Sequence, residues 1–458
     1  MEIRFSLLPD RRIGPSLKAV MIAAVILLPL VQCRSREAAA TGRQDAPKHL
    51  SARLFDSKFA FGRATFNAIS SASDGNIYYV LSSAALETGG QIYRYSPATG
   101  EIRHLGDLTE ACGEKSLRAI PQGKSHVSFV EANCRLYFAT HLAYYDIKGA
   151  KESKAAPPPG YRPYPGGHFL AYDLKSGRFE DLATAPFQEG IISMAMDTRR
   201  GRLYGLTWPT GYLLAYDLAS RELRHTNPTD ERGEAGEGAH FRAVCRSLVV
   251  DPRDGAAYLT TSRGDILRYR YEDNTLGPVP GVDLRKDYFG SYELETPGHM
   301  GYHWRQTAWY EPEGAIYGVH GNSGYLFRYL PLERRVEVVE RITSEPSRHS
   351  GMYDMYYYGY LGLALGPDGH TLYYLTGGPI PGAKAVRKGV IGVRGEENLH
   401  LVTYHIPTGR YTDHGPVLVD GLRPTNVNSI ALGKDGSVYA LANVSGRTDL
   451  IRIPSPDK

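Results

Sequence analysis

The chain has 458 residues and carries 53 Lys+Arg against 49 Asp+Glu, a formal charge of +4. That balance excludes the broad cationic field on which nucleic-acid binding depends, and 42% hydrophobic against 22% charged residues excludes a disordered chain. Tyrosine is the outlier, with 33 Tyr against 13 Phe and 3 Trp, and 50 Gly and 29 Pro supply many turns, so the composition leans all-β. Tyrosine suits both half-buried strand surfaces and polar ligand-facing walls.

Arg4, Arg11, Arg12 and Lys18 precede an apolar run from Ala19 to Val31. The run is short for a bilayer span and fits the apolar core of a secretion signal. Cys33 follows in Leu30-Val-Gln-Cys33, similar to a bacterial lipobox except that Gln32 stands where a small residue is usual. Residues 1–33 are expected to be a signal peptide, with Cys33 a lipidation candidate or the leader simply cleaved nearby. Residues 34–48, polar and Ala-rich, read as a flexible tether. The expected location is outside the cytoplasm: periplasmic, outer-membrane lipoprotein or extracellular, with a membrane touched only through such an anchor. Export permits disulfides, and a Cys112–Cys134 bridge that leaves Cys245 over is the simplest pairing.

Residues 49–458 read as one repetitive domain. Tyr78, Tyr137, Tyr204, Tyr258, Tyr317, Tyr373 and Tyr439 recur about every sixty residues. Most follow a tight turn, as in Ser73-Asp-Gly-Asn-Ile-Tyr78 and Pro367-Asp-Gly-His-Thr-Leu-Tyr373. A third strand often comes next, such as Gln91-Ile-Tyr-Arg-Tyr95 or Tyr212-Leu-Leu-Ala-Tyr-Asp217, then a fourth, such as Lys175-Ser-Gly-Arg-Phe-Glu-Asp181. The alternation has period two, with Gly, Asp and Pro between strands. Four short antiparallel strands repeated seven times predict an all-β, seven-bladed β-propeller. Blades bury their faces only against neighbours, so the ring must close. Only Leu450-Ile-Arg-Ile453 follows the last tyrosine, so Leu50-Ser-Ala-Arg-Leu-Phe55 from the N-terminus is expected to complete that blade. A monomer is expected.

In such a blade the starts of first strands and the ends of second strands meet on one face around the axis. His126, His141, His303 and His320 fall there, with Arg246, Arg305, Trp208, Asn426 and Asn428. The functional reading is a cleft bearing His126 and His141 with Arg246 and Arg305 beside them; the bland one is a mouth that is merely polar. The Tyr-rich stretch from Met352 to Tyr360 borders the same face, as a stacking wall or a buried strand. Cys245 with His240, His299, His303 and His320 has the donor chemistry of a zinc site, though no Cys-x-x-Cys or His-Glu-x-x-His spacing supports it, and a buried free Cys245 is the alternative. The stretch from Gly233 to Gly238 reads as a solvated loop. Glu189 is the one acid at the converging positions, which argues against hydrolysis by paired carboxylates.

This inventory resembles the β-propeller polysaccharide lyases, notably the ulvan lyases. The likeness is carried by His126 in Lys124-Ser-His-Val-Ser-Phe129, His141 in Phe138-Ala-Thr-His141 and Arg246 in Cys245-Arg-Ser247. It implies β-elimination on an acidic, uronate-containing polysaccharide or oligosaccharide by two histidines, a tyrosine and an arginine, beside a structural His/Cys zinc site. Tyr212, Tyr302 and Tyr360 are the candidates for the tyrosine. Arg246 would neutralise the uronate carboxylate, His126 or a tyrosinate would take the proton at C5, and His141 or a tyrosine hydroxyl would protonate the leaving oxygen. Two rivals stand: a non-catalytic carbohydrate- or protein-binding propeller, and a metal-dependent lactonase-type hydrolase, which Asn426 and Asn428 suit but too few carboxylates join.

Overall fold

The computed structural model describes residues 49–63, 65–142, 157–295, 300–320, 323–350, 361–379 and 397–456. The leader and tether with Cys33, His299, and the stretch from Met352 to Tyr360 lie outside these residues.

The local rules act as expected at the hairpin turns. In the first repeat the Asp74 carboxylate accepts the Asn76 N–H at 3.0 Å, and Gly75 takes φ +82, a conformation in which a Cβ is strained. The same device returns at Asp435, which accepts the Ser437 N–H at 3.0 Å, beside Gly436 at φ +80. Either side of each turn, alternating residues form paired strands.

The described strands fall into seven antiparallel blades, four strands to most, with Gly62–Arg63 added to the first and the opening strand of the last in two pieces. Blade 1 runs Ile69–Ser71, Ile77–Ser83, Gln91–Tyr95, Ile102–Asp107, and blade 2 runs Val130–Ala132, Arg135–Ala139, His168–Asp173, Phe179–Thr184. Blade 3 is Gly190–Asp197, Arg202–Trp208, Tyr212–Asp217, Leu223–Pro228; blade 4 is Val249–Val250, Ala257–Thr260, Asp265–Arg270, Thr275–Asp283. Blade 5 is Trp304–Tyr310, Ala315–His320, Tyr325–Leu330, Arg335–Arg341; blade 6 is Gly362–Leu365, Thr371–Pro379, Glu397–His405, Arg410–Val419. Blade 7 takes Asn426–Val427 with Ala431–Leu432, then Val438–Val444 and Arg447–Ile453. Its fourth strand is Leu50–Leu54, antiparallel to the third with Arg53 opposite Arg452 and Leu54 opposite Ile451. The same segment also pairs in parallel with blade 6, and Ser57 just beyond it is pinned to Asp449 by its N–H at 2.9 Å and its hydroxyl at 2.5 Å. Blade 7 meets blade 1 through one buried cluster containing Ile69, Tyr79, Ala431, Tyr439 and Leu450. The ring therefore closes through the N-terminal strand.

The core lies between blades, and this is where the tyrosines go. Second-strand tyrosines pack on third-strand tyrosines of the next blade: Tyr78 on Tyr172 at 6.1 Å, Tyr204 on Tyr269 at 5.7 Å, Tyr258 on Tyr329 at 5.7 Å and Tyr439 on Tyr95 at 5.8 Å between ring centroids. Burying one such ring stabilises by roughly 1.5–3 kcal/mol; the Tyr204 hydroxyl donates to Gly255 O of the next blade at 2.9 Å and the Tyr78 hydroxyl to Asp74 at 2.8 Å. In these residues the tyrosine excess serves blade-to-blade packing, not a ligand wall.

The expected disulfide is absent. Cys112 and Cys134 are both free thiols, the first buried and the second exposed. Cys112 sits beside His168, whereas Cys134 occupies a hairpin turn at φ +59 and its carbonyl accepts the Leu174 N–H. The strand His168–Asp173 separates the two. Five extended residues at about 3.3 Å each place them roughly 17 Å apart, far beyond the ~7 Å that a disulfide tolerates.

Candidate functional site

The segments leading into the first strands converge with the ends of the second strands, and the polar residues at these places form a continuous mouth. In blade 2, Lys124 and His141 face each other across a backbone bridge: the Lys124 N–H donates to His141 O at 3.1 Å and the His141 N–H to Lys124 O at 2.8 Å. The His141 side chain lies flat over Gly190 of blade 3, where a Cβ would come within 2.8 Å of the imidazole carbon. His141 is 4% exposed, and among the described residues neither of its ring nitrogens has a hydrogen-bond partner. The His126 ring meets it edge-on at 4.7 Å and is stacked from behind by Phe66 at 5.2 Å. Phe66 in turn bridges to Asn428 of blade 7, and the Asn428 amide donates to Asn426 Oδ1 at 2.6 Å.

On the other side of His141 stands Trp208, its ring 5.4 Å away. Its indole N–H donates to Glu234 Oε2 at 2.7 Å, and the other carboxylate oxygen accepts Arg246 Nη2 at 2.6 Å and the Val244 N–H at 3.0 Å. The stretch from Gly233 to Gly238 is thus not a solvated loop at Glu234, which is the hub joining blade 3 to the entry of blade 4. Burial alone would raise the Glu234 carboxyl, but Arg246, the indole and the Val244 N–H outweigh it and hold it below its ordinary value. Arg246 also donates to Val244 O at 2.8 Å, so much of its fork is committed within the protein. From blade 5, Gln306 Nε2 reaches across the channel to Asn67 Oδ1 at 2.9 Å.

The electrostatics follow from this placement. Burial first, then His141, then the Lys124, Arg246 and Arg305 cations hold the His126 imidazole well below its ordinary value. Burial and Lys124 do the same to His141. Both rings are neutral near pH 7, in a mouth whose cations favour an anion.

The remaining candidates lie elsewhere. Tyr212 packs on Phe187 at 4.6 Å, and Tyr302 on Tyr292 at 5.1 Å with His320 at 6.4 Å. The zinc set does not assemble. His240 is exposed, its ring 3.8 Å from Glu231. His303 spends one nitrogen on Thr260 Oγ1 (2.9 Å) and the other on Ala243 O (2.8 Å). Cys245 Sγ lies 3.3 Å from Ser247 O; burial works to raise its thiol, but His303 overrides this and brings it down to about 7. His320 is stacked on Phe289 at 4.1 Å, and burial pushes its imidazole down to about 3. Among the described residues no three His, Cys, Asp or Glu side chains are placed to hold a metal ion; His303 and Cys245 are bonded to backbone and hydroxyl groups instead. Glu189 is a staple rather than a reacting acid, accepting Thr207 Oγ1 at 2.6 Å and the Thr210 N–H at 3.1 Å.

Sequence reasoning assigned no role to Lys124, Glu234, Phe66 or Asn67. It also missed the network behind His141. Gln122 accepts the Thr140 hydroxyl at 2.8 Å and the Tyr164 hydroxyl at 2.6 Å, and donates to Glu114 at 2.9 Å. His168 bridges Glu114 and Asp181, both at 2.9 Å. Burial opposes its charge, but Asp181, Cys112 and Glu114 push its imidazole up to about 12. A signal was present: a third-strand histidine paired with a fourth-strand aspartate thirteen residues on recurs at His400 and Asp413, 3.0 Å apart, as at His168 and Asp181.

No family model matches the chain, and no curated protein does. Among solved structures it is similar to the extracellular domain assigned to a hybrid two component system of B. thetaiotaomicron, at 13% identity and TM-score 0.47, over 89% of this chain and 40% of that one. A one component counterpart from the same organism gives 13% and 0.46, over 88% and 40%. A chain of a mitotic checkpoint complex gives 11% and 0.48, over 94% and 99%. The chain spans about two fifths of the length of the first two structures. Among the described residues no helix is long and apolar enough to cross a membrane.

Proposed function

We propose that the chain is an exported carbohydrate-active protein whose propeller mouth binds an acidic, uronate-containing saccharide and cleaves it by β-elimination. One observation carries the reading: His141 is buried against His126 and Trp208, neither of its ring nitrogens makes a well-formed hydrogen bond among the described residues, and it lies under the field of Lys124 and Arg246. A buried imidazole without a partner is costly unless a ligand supplies one.

The chemistry follows from the charges. A uronate carboxylate entering the mouth meets the positive field that Lys124, Arg246 and Arg305 set up at His126, with Arg246 paired to Glu234. Its negative charge offsets the cations that depress His126 and makes that ring a better base as substrate binds. His126 takes the C5 proton, the electron pair forms the C4–C5 double bond, and the C4–O bond breaks. The leaving oxygen takes up the proton that His126 has just accepted, passed on directly or through water on the His141 side, so that both rings end the step neutral.

The second reading is a propeller that binds such saccharides without cleaving them. It is favoured by the Arg246–Glu234 pair and by the packing of Tyr212 and Tyr302 on aromatic neighbours away from the histidine pair. Incubation with a panel of uronic polysaccharides separates the two. A rise at the unsaturated-uronate absorbance, reduced by a factor on the order of 10²–10⁴ in His126→Ala, supports cleavage. Retained binding with no rise on any polymer leaves the binder.

A further inference from the structure

We infer a saccharide-stacking subsite on the rim over blade 3, built by Phe187, Tyr212 and His225, that holds a sugar ring of the polymer whose cleavage point lies at the mouth. It rests on the saccharide reading above. Phe187 is 56% exposed, yet it is not a loose side chain. Its ring packs on Tyr212 at 4.6 Å and meets the edge of His225 at 5.3 Å. Its backbone takes φ +64 and Gln188 follows at φ +60, two successive left-handed residues, of a kind a bulky L side chain rarely adopts.

The loop is over-determined at both ends. The Ala185 N–H donates to Gly167 O at 2.6 Å and the Gly167 N–H to Glu189 O at 2.8 Å, while the Glu189 carboxylate is tied to Thr207 and Thr210. Glu234 performs the matching service for Trp208. The chain thus spends strain to hold an aromatic ring out in solvent. Strain kept where it hides nothing from water is explained by presentation to a ligand.

The place supplies the ligand class. Phe187 comes three residues before Gly190, on which the His141 ring lies. The Tyr212 N–H donates to Thr207 Oγ1, on the neighbour of Trp208, at 2.9 Å. Blade 3 thus carries two aromatic groups, Trp208 against His141 and His126 at one strand end and Tyr212 with Phe187 and His225 beyond it, joined through Gly190 and Thr207. The C–H face of a pyranose stacks on such rings while its hydroxyls stay in water. A polymer bound at the cationic mouth has its next rings along this row, and Tyr212 acts there by its ring face and not as a reacting phenol.

The test is calorimetric affinity of the full chain for short and long oligosaccharides of galacturonate, glucuronate and alginate, with uronate absorbance read in parallel and circular dichroism confirming each variant is folded. Phe187→Ala and Tyr212→Ala are expected to weaken long oligosaccharides on the order of tenfold and short ones less, while Tyr212→Phe weakens them little. Equal affinity of Phe187→Ala and wild type for long oligosaccharides overturns the subsite, even if absorbance shows the mouth cleaving. A loss as large in Tyr212→Phe as in Tyr212→Ala overturns the stacking role. A length-dependent loss with no absorbance change supports the subsite and removes the cleavage. Wild type that binds none of these saccharides overturns both.

Discussion

Burial first, then Lys124 and Arg246, hold the His141 imidazole well below its ordinary value, against a smaller opposing contribution from the Leu142 backbone, so its neutral form is favoured. His126 and His320 share this sign, their imidazoles lying below the ordinary value of 6.5, His320 at about 3. Groups depressed on folding bind fewer protons in the native than in the unfolded chain. Their contribution is complete above about pH 6.5 and is lost as pH falls toward the folded values. His168 has the opposite sign: at about 12, its contribution is complete below about pH 6.5 and fades as pH rises toward that value. The urea midpoint is expected to fall between about pH 6.5 and pH 4, and His320→Gln to flatten that fall while lowering stability throughout. An unchanged slope would show that His320 is not depressed. Glu234→Ala leaves Arg246 buried beside an empty position and unlatches Trp208, so a loss of about 3 kcal/mol is expected by chemical denaturation, together with weaker saccharide binding. At this scale the sequence told little: the acceptor of the Trp208 indole N–H and partner of Arg246 lies in a Glu/Gly-rich stretch that resembles any solvated loop, and its burial is a property of what folds over it.

Elements show a different legibility. The recurring tyrosine and the Asp-Gly turn were readable because both act within a few residues, through strand alternation and left-handed glycine. What the tyrosine packs against was not, because its partner lies on the next blade. Two substitutions check that assignment. Tyr204→Phe removes a hydroxyl whose partner, Gly255 O, then stays buried, with an expected loss of about 1 kcal/mol. Tyr439 has no hydrogen-bond partner for its hydroxyl among the described residues, so Tyr439→Phe is expected to be neutral or slightly stabilising; equal losses in the two would refute the distinction. Gly190→Ala tests the seat of His141. The added methyl group meets the imidazole at 2.8 Å, so the ring must move, costing about 1–3 kcal/mol and more activity than that loss of stability explains. Unaltered turnover in this variant would mean that the His141 position is immaterial.

The whole molecule depends on one strand from the N-terminus. A ring of blades has no unpaired faces only if the last blade is complete, and Leu50–Leu54 with Ser57 completes it. A chain starting after Lys58 is expected to unfold at clearly lower urea and to lose cooperativity, because blade 7 then presents an open edge. A single transition at the wild-type midpoint would show that closure contributes nothing. Closure also sets the mouth, since Asn428 of blade 7 is joined to His126 through Phe66 and Asn67 of blade 1, and Gln306 of blade 5 spans the channel to Asn67.

The chain's own order of residues determined the all-β class, the repeat, the turns and the strand that seals the ring, because alternation, turn chemistry and a missing final strand are relations between near neighbours or simple counts. It also placed His126 and His141 on one face, since strand direction in a repeated blade is predictable. Only the tertiary structure decided that Cys112 and Cys134 stand apart, that His303 and Cys245 are satisfied without a third ligand, that Arg246 belongs to Glu234, and that Phe187 is held out over blade 3. Those outcomes depend on which hydrogen-bonding groups are left over once distant segments pack, and that remainder is a property of three-dimensional proximity, not of spacing along the chain.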